Sequence, residues 1–401
     1  MEKWIKNIKG TIPYTNKTVD IELNGKNLIV TGANGSGKTM FVKTLYDEIL
    51  FIVENKIKEP ISELQKLDAD SHSYFHFIGS GQYVDYPDFR FDTRMSNQVD
   101  DLADLANDRK AVIKFFEEKR LSEIKQPKTG RQINIDKSKK LGNDLEQHLL
   151  NLVTRQSFAL TQHLFAEEQE VIENQKLADD IKNWLIDFES KLKILFEDET
   201  LKLKFDPNIS RFSIIQTDKP PFTFQTLSAG YRAIFDIYAD LLMHTEYFKI
   251  MPNELTGVVF IDEIDSHLHV SLQRLILPFF AQSFPKIQFI VTTHSPFVLM
   301  SAEDTIIFDL AKNQPITENL SHYTYSAVMK GLWNVKPISK SLEDKMIEIS
   351  KIVNSEEKDY KRLRELVENT RPDIDALDNE SKVFLMLGME TLLKEERSKN
   401  V

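Results

Sequence analysis

The segment Gly32-Ala33-Asn34-Gly35-Ser36-Gly37-Lys38-Thr39 has the residue types of a polyphosphate cradle. Small residues let backbone N–H groups wrap anionic oxygens, and a helix starting at the end of the loop points its positive pole at them. Lys38 can reach the outer phosphates, and the Thr39 hydroxyl can ligate a Mg2+ ion that those phosphates share. Met40, the next residue, is grouped with the phosphate-contacting set. Two carboxylates, Asp262 and Glu263, end the apolar run Val258-Val259-Phe260-Ile261. Such a pair can divide the work: Asp262 holds the metal through water, and Glu263 polarises an attacking water as general base. The plain alternative is a solvated strand end. His294 ends a second apolar run, Ile287 to Val291, inside Thr292-Thr293-His294-Ser295-Pro296. A histidine there can sense the terminal phosphate and steady the attacking water, or it can be a satisfied core histidine.

The elements around these residues must present them together. Leu28-Ile29-Val30 reads as a strand entering the glycine loop, and a helix is expected from about Lys38 to Lys56, stopped by Pro60. Tyr74 to Ile78 reads as a strand followed by Gly79-Ser80-Gly81-Gln82. From about Gln98 to Phe196 the chain reads as mostly helical, with Leu177, Ile181, Trp184, Leu185, Phe188, Leu192 and Leu195 on one face. Leu201 to Ile215 alternates around Asp206-Pro207-Asn208, the pattern of a β-hairpin. A helix follows Leu227-Ser228-Ala229-Gly230, another covers Leu272 to Phe284, and Thr305 to Leu310 reads as a last strand. The tail from about Ser339 reads as polar and helical. Buried strands alternating with helices imply an α/β fold with a mostly parallel sheet covered on both faces.

Composition narrows the function classes. The 401 residues contain no cysteine, which excludes disulfides, a thiolate nucleophile and a cysteine-ligated zinc. The formal charge of −11 argues against a uniformly basic nucleic-acid face. A local basic stretch, 119–140, contains Lys119, Arg120, Lys125, Lys128, Arg131, Lys137, Lys139 and Lys140. It can contact nucleic acid or an acidic partner, or be a solvated loop. The sequence shows no apolar run long enough to span a membrane and no secretory leader, so a cytoplasmic location is expected. His72 and His76 fall in a strand-like segment and do not read as a metal pair. Asp373-Ile374-Asp375 has a nuclease-like Asp-x-Asp spacing but follows Arg371-Pro372 rather than an apolar strand.

The order of glycine loop, Leu227-Ser228-Ala229-Gly230, Asp262-Glu263 and His294 resembles an ABC-type ATPase. Val259 to His269, with Thr293-His294-Ser295-Pro296 downstream, is similar to the branch that includes OLD-type proteins, RecF, SMC-like ATPases and anti-phage ATPase subunits such as those of PARIS, Septu and some retrons. The resemblance covers roughly residues 1–95 and 200–310. It implies an ABC-type P-loop fold with an antiparallel β-subdomain, an inserted helical lobe and a helical C-terminal tail. It implies ATP and Mg2+ as ligands, with Lys38, Glu263 and His294 catalytic. Ser228, Ala229 and Gly230 would complete the ATP site of a second copy, in a dimer or a larger ring. Gln82 resembles the Q-loop glutamine and would join Thr39 and Asp262 around the metal. Ala229 and Tyr231 depart from the usual transporter signature, and His269 takes the D-loop aspartate position, which argues against a transporter subunit.

The expected organisation is a first core segment at 1–97, an inserted helical lobe at 98–200, a second core segment at 201–320 and a helical tail at 321–401. The expected function is that of an ATP-hydrolysing sensor or scaffold in an anti-phage complex, controlling a separate effector such as a nuclease or toxin. The competing reading is a DNA-repair or chromosome-maintenance ATPase that binds DNA in its ATP-closed dimer.

Overall fold

The computed structural model describes residues 4–12, 15, 17–54, 75–78, 82–85, 91–95, 102, 104–106, 110–120, 124–128, 141–161, 168–248, 250–333 and 338–399. They fall in two compact units, Met1–Tyr323 and Thr324–Val401.

The first unit is organised by a six-stranded sheet. Its strands are β3 (Asn27–Thr31), β7 (Ala111–Phe116), β10 (Thr256–Ile261), β11 (Lys286–Thr292), β12 (Thr305–Asp309) and β13 (Gln314–Ile316), in the order β13-β12-β3-β11-β10-β7. All neighbours are parallel except β13, which runs against β12. β3, β10 and β11 are almost wholly buried, which is why each reads as an unbroken apolar run rather than an alternation. Their ends lie level. Ile261 pairs with both Val291 and Phe116, and Thr292 pairs with Val30, so the segments after four adjacent strands emerge along one edge.

A three-stranded antiparallel sheet, β2-β1-β6, is built from β1 (Ile5–Thr11), β2 (Thr18–Glu22) and β6 (Phe91–Met95). Helix α1 (Lys38–Glu54) buries Phe41, Val42, Leu45 and Ile49 in one core with Ile5, Ile8 and Ile21 of this sheet and Val30, Val258, Phe260 and Ile290 of the main sheet. Gln288 is a polar residue in the middle of a buried strand. Its amide explains its presence: Nε2 donates to Ile5 O (3.1 Å) and Lys26 O (2.7 Å), and Oε1 accepts from Ile5 N (2.7 Å). It thereby satisfies backbone groups where the two sheets meet.

The remaining elements of this unit include the hairpin β4 (Phe75–Ile78) and β5 (Gln82–Asp85), helices α2 (Leu145–Thr161) and α3 (Glu168–Phe196), and the hairpin β8 (Lys202–Asp206) and β9 (Arg211–Ile215). Helices α4 (Ala229–Phe248), α5 (Val270–Ser283) and α6 (Pro296–Met300) complete them. The ABC-type P-loop fold expected from the sequence is the fold observed. One boundary differs. The stretch read as helical from Gln98 contains β7, which is hydrogen-bonded beside β10 as the sixth strand of the main sheet. Its apolar run is interrupted by Lys114, whose charge is met by an ion pair with the buried Asp240 of α4.

The second unit is helical. It contains α7 (Tyr325–Trp333), and α8 (Lys340–Asn354), α9 (Tyr360–Thr370) and α10 (Asn379–Lys399) surround a core that includes Met346, Ile349, Leu363, Leu366, Leu385 and Leu392. Ser339 and Asp359 cap α8 and α9 by accepting from Leu342 N and Arg362 N. Asp373 and Asp375 lie in a short 3-10 turn, Arg371–Ala376, and not at a strand end where a nuclease pair would sit. Among the described residues no helix is long and apolar enough to cross a membrane.

Candidate active site

The glycine loop connects β3 to α1. It sits against the end of β12: Leu310 N donates to Thr31 O at 2.8 Å, and a Cβ built on Gly32 would lie 2.9 Å from Ala311 N. Gly32 also has φ +140°, so both its conformation and its neighbours exclude a side chain. Ala33, Asn34 and Gly35 are exposed at the top of the loop, while Ser36 and Lys38 are buried at its base. The Lys38 ammonium donates to Gly32 O (3.1 Å) and Ala33 O (3.2 Å), folding back over the loop that it would share with phosphate. Burial lowers the Lys38 pKa, opposed by the charges of Glu263, Asp262, Asp265 and Asp309. Thr31 Oγ1 and Ser36 Oγ are buried without a hydrogen-bond partner among the described residues. Unmatched donors beside a buried ammonium are what an anionic ligand would satisfy. Thr39 is exposed at the first turn of α1, and Met40 beside it is 38% exposed.

The acidic pair follows β10. Asp262 is buried, and its Oδ1 accepts from Thr292 Oγ1 at 2.6 Å. The same hydroxyl accepts from Glu263 N at 2.7 Å, and Ile264 N donates to Thr292 O at 2.9 Å. Thr293 Oγ1 donates to Asp265 Oδ1 and accepts from Ser295 N. The two threonines before His294 therefore lash the acidic turn to the end of β11. Glu263 is only partly buried and has φ +46°, an uncommon conformation for a non-glycine residue. Desolvation raises its pKa, and the carboxylates of Glu118, Asp262 and Asp265 raise it further, while Lys38 opposes them. His294 is partly buried. Desolvation and then the Lys38 charge lower its pKa, against Asp265 and Asp262, so its neutral form is favoured.

Lys38 thus lies within reach of the charges of Asp262 and Glu263 and acts on His294 at the carboxyl edge of β3, β11 and β10, where ligands of open α/β sheets bind. Asp262 and the Thr39 hydroxyl are each oxygen donors of the kind that Mg2+ takes. Ser228 and Ala229 are exposed where α4 begins, and Gly230 is buried behind them. Gln82 is placed differently from expectation. It opens β5 and pairs with Ile78 in a separate two-stranded hairpin, so it does not end a strand of the main sheet. The strand beside β10 is β7, whose exit carries Glu118 and Arg120.

Arg120, Thr292, Thr293 and Asp265 were not singled out as site residues from sequence. Arg120 was counted only as part of the basic stretch; it is buried and bonded to the acidic turn. Of that stretch, Lys119, Lys125 and Lys128 are exposed, and residues 129–140 lie outside the described residues, as does His72. His269 caps α5 by accepting from Ser271 N.

A family model described as AAA domain, putative AbiEii toxin, Type IV TA system matches residues 28–301. The chain belongs to this AAA_21 family. The AAA_21 match runs from β3 through α6, so it contains the glycine loop, the acidic pair and His294. The chain is 32% identical over 174 residues to the retron Ec83 probable ATPase of Escherichia coli, covering 39% of this chain and 32% of that protein. It is 37% identical over 95 residues to the Septu protein PtuA of Bacillus mycoides (strain KBAB4), covering 22% of this chain and 13% of that protein. Less than half of either relative's own length is matched. Among solved structures, an SmcHead bound to the C-winged helix domain of ScpA aligns over 80% of this chain and 100% of that one, with 14% identity and a TM-score of 0.39. The resemblance to the defence-associated P-loop branch agrees with the family and with the retron and Septu relatives.

Proposed function

We propose that this chain is an ATP-hydrolysing sensor or scaffold subunit of an anti-phage defence complex, and that it controls a separate effector. The convergence of Lys38, Asp262, Glu263 and His294 on one sheet edge carries the hydrolytic part of this reading. The relatives named as a retron ATPase and a Septu protein support the defence part.

In this reading Lys38 exchanges the carbonyls of Gly32 and Ala33 for the outer phosphates of ATP. The amides and side chains of Ala33 to Thr39, with Met40 next to them, line the phosphate path. Thr39 and Asp262 hold Mg2+, which neutralises phosphate charge when bound. Glu263 takes a proton from the attacking water, and its raised pKa makes it a stronger base than an ordinary carboxylate. Neutral His294 orients that water or reads the terminal phosphate. Ser228, Ala229 and Gly230 of a second copy close the site from outside, at the positive end of a 20-residue helix. Differential contacts to the terminal phosphate then favour the closed assembly, and their loss on hydrolysis opens it. Exposed Lys119, Lys125 and Lys128 are assigned to contact with an acidic effector face or nucleic acid, in the cytoplasm.

Cells carrying the gene with its chromosomal neighbours, challenged with a phage panel, test the proposal. Protection that disappears with Lys38→Ala is expected, together with an ATP-dependent rise in native mass. Equal protection by the Lys38→Ala protein at matched abundance would contradict it.

A further inference from the structure

Arg120 is held by the acidic turn, and that turn is also touched by an element that the proposed chemistry assigns to a different nucleotide. It lies just past β7 and is 6% exposed. Its Nη2 donates to Asp262 O at 2.9 Å and to Glu263 O at 2.7 Å, and its Nη1 donates to Ile264 O at 3.0 Å. One planar cation thus fixes three successive carbonyls of the acidic turn. That turn contains Glu263 at φ +46° and, further on, His267 at φ +65°. Non-glycine residues keep such angles only where the surroundings impose them.

The second element is α4. Burial lowers the Arg120 pKa to about 10, and the carboxylate that most opposes this is Asp236, buried on α4, ahead of Asp265, Asp262 and Glu263. The start of α4 presses on the same turn. A Cβ on Gly230 would lie 3.2 Å from Leu272 Cδ1 and 3.3 Å from His267 O, so the glycine lets the helix start rest directly on the chain that leaves Glu263. α4 therefore meets the chain leaving Glu263 at Gly230, and the charge of Asp236, further along the same helix, favours the Arg120 cation.

We infer that Arg120 is a positioning residue that holds the Glu263 backbone in its left-handed turn and links that turn to α4. This rests on the reading of Glu263 as general base. The start of α4 serves the nucleotide of the second copy, whereas Glu263 serves its own. Arg120 then transmits the state of one site to the other inside a single chain.

The full-length chain tests this with Arg120→Lys, Asp236→Asn and the double variant, each measured for kcat, KM, fluorescent ATP-analogue affinity and Tm. Lysine keeps the charge but cannot fork to three carbonyls. Arg120→Lys is expected to lower kcat by up to about 100-fold while KM and nucleotide affinity stay within about twofold. Asp236→Asn should lower kcat in the same manner, and the double variant should lose no more than the worse single one. A folded Arg120→Lys protein with wild-type kcat, a change in KM alone, or fully multiplicative losses in the double variant would overturn the inference. Should Arg120→Lys not fold, Asp236→Asn decides alone: a wild-type kcat overturns the link, and a lowered kcat at unchanged KM supports it. A wild-type chain that turns over no ATP refutes the hydrolytic reading and the inference together. An active wild type beside an equally active Arg120→Lys refutes the inference only.

Discussion

Replacing Thr292 by valine removes one hydroxyl from the centre of the site while keeping a β-branched side chain of similar shape. Thr292 is fully buried, and its Oγ1 makes two short hydrogen bonds, 2.6 Å to Asp262 Oδ1 and 2.7 Å from Glu263 N. A hydrogen bond to a charged group contributes about 1.5–3 kcal/mol net, and an orphaned buried amide costs about 1–3 kcal/mol. Together these give roughly 2.5–6 kcal/mol of lost stability, with local relaxation favouring the lower end. Large domains lose about 2 °C of Tm per kcal/mol, so a fall on the order of 5–10 °C is expected in a thermal scan of the full chain. The kcat for ATP should fall as well, because both members of the acidic pair lose their tether. Thr292→Ser restores the hydroxyl and should recover most of both quantities. A Thr292→Val protein with wild-type Tm and wild-type kcat would show that the hydroxyl does not hold the pair.

Other outcomes follow from the same geometry. Lys38→Ala should weaken ATP binding by at least about tenfold in calorimetry, since a charge-assisted contact to phosphate is lost; unchanged affinity would count against the loop as the phosphate site. The acid limb of the pH–kcat profile should lie above the ordinary carboxylate range, because Glu263 must be ionised to act and burial raises its pKa. A limb at or below that range would exclude Glu263 as the base. His148 on α2 is buried against Trp184, with ring centroids 5.3 Å apart, and desolvation pushes its pKa down to about 3. The unfolded chain binds this proton below about pH 6.5 and the folded chain does not, so the stability contribution is complete above pH 6.5 and is lost as pH falls towards 3. Between pH 6.5 and 5 the loss from this residue should be roughly 2 kcal/mol. Chemical denaturation of His148→Phe at both pH values should show that much less pH dependence than wild type.

The parts of this site visible in the sequence are those whose physical signature is local. β3, β10 and β11 are buried on both faces, so each appears as an apolar run, and the glycine loop or an acidic pair immediately after it marks the functional edge. β7 has no such signature. Lys114 interrupts it and Glu117-Glu118 follow it, and the ion-pair partner Asp240, distant in sequence, is not visible locally. Arg120 was hidden for a related reason: a count of basic residues cannot distinguish a solvated lysine from an arginine bonded to three buried carbonyls. Gln82 follows an apolar segment as a strand-end glutamine would, but that segment closes on itself as a hairpin. Thr292 and Thr293 were in plain view. Their role depends on pairing β11 against the exit of β10, which periodicity alone does not give.

In the proposed mechanism Glu263 is the base of an ATP site completed by a second copy. Glu263→Gln tests it most directly, with ATP turnover, bound nucleotide and native mass measured on the same sample. Turnover should fall about 10²–10⁴-fold, with nucleotide retained and the ATP-dependent assembly stabilised. Wild-type turnover by the folded Glu263→Gln protein would contradict it.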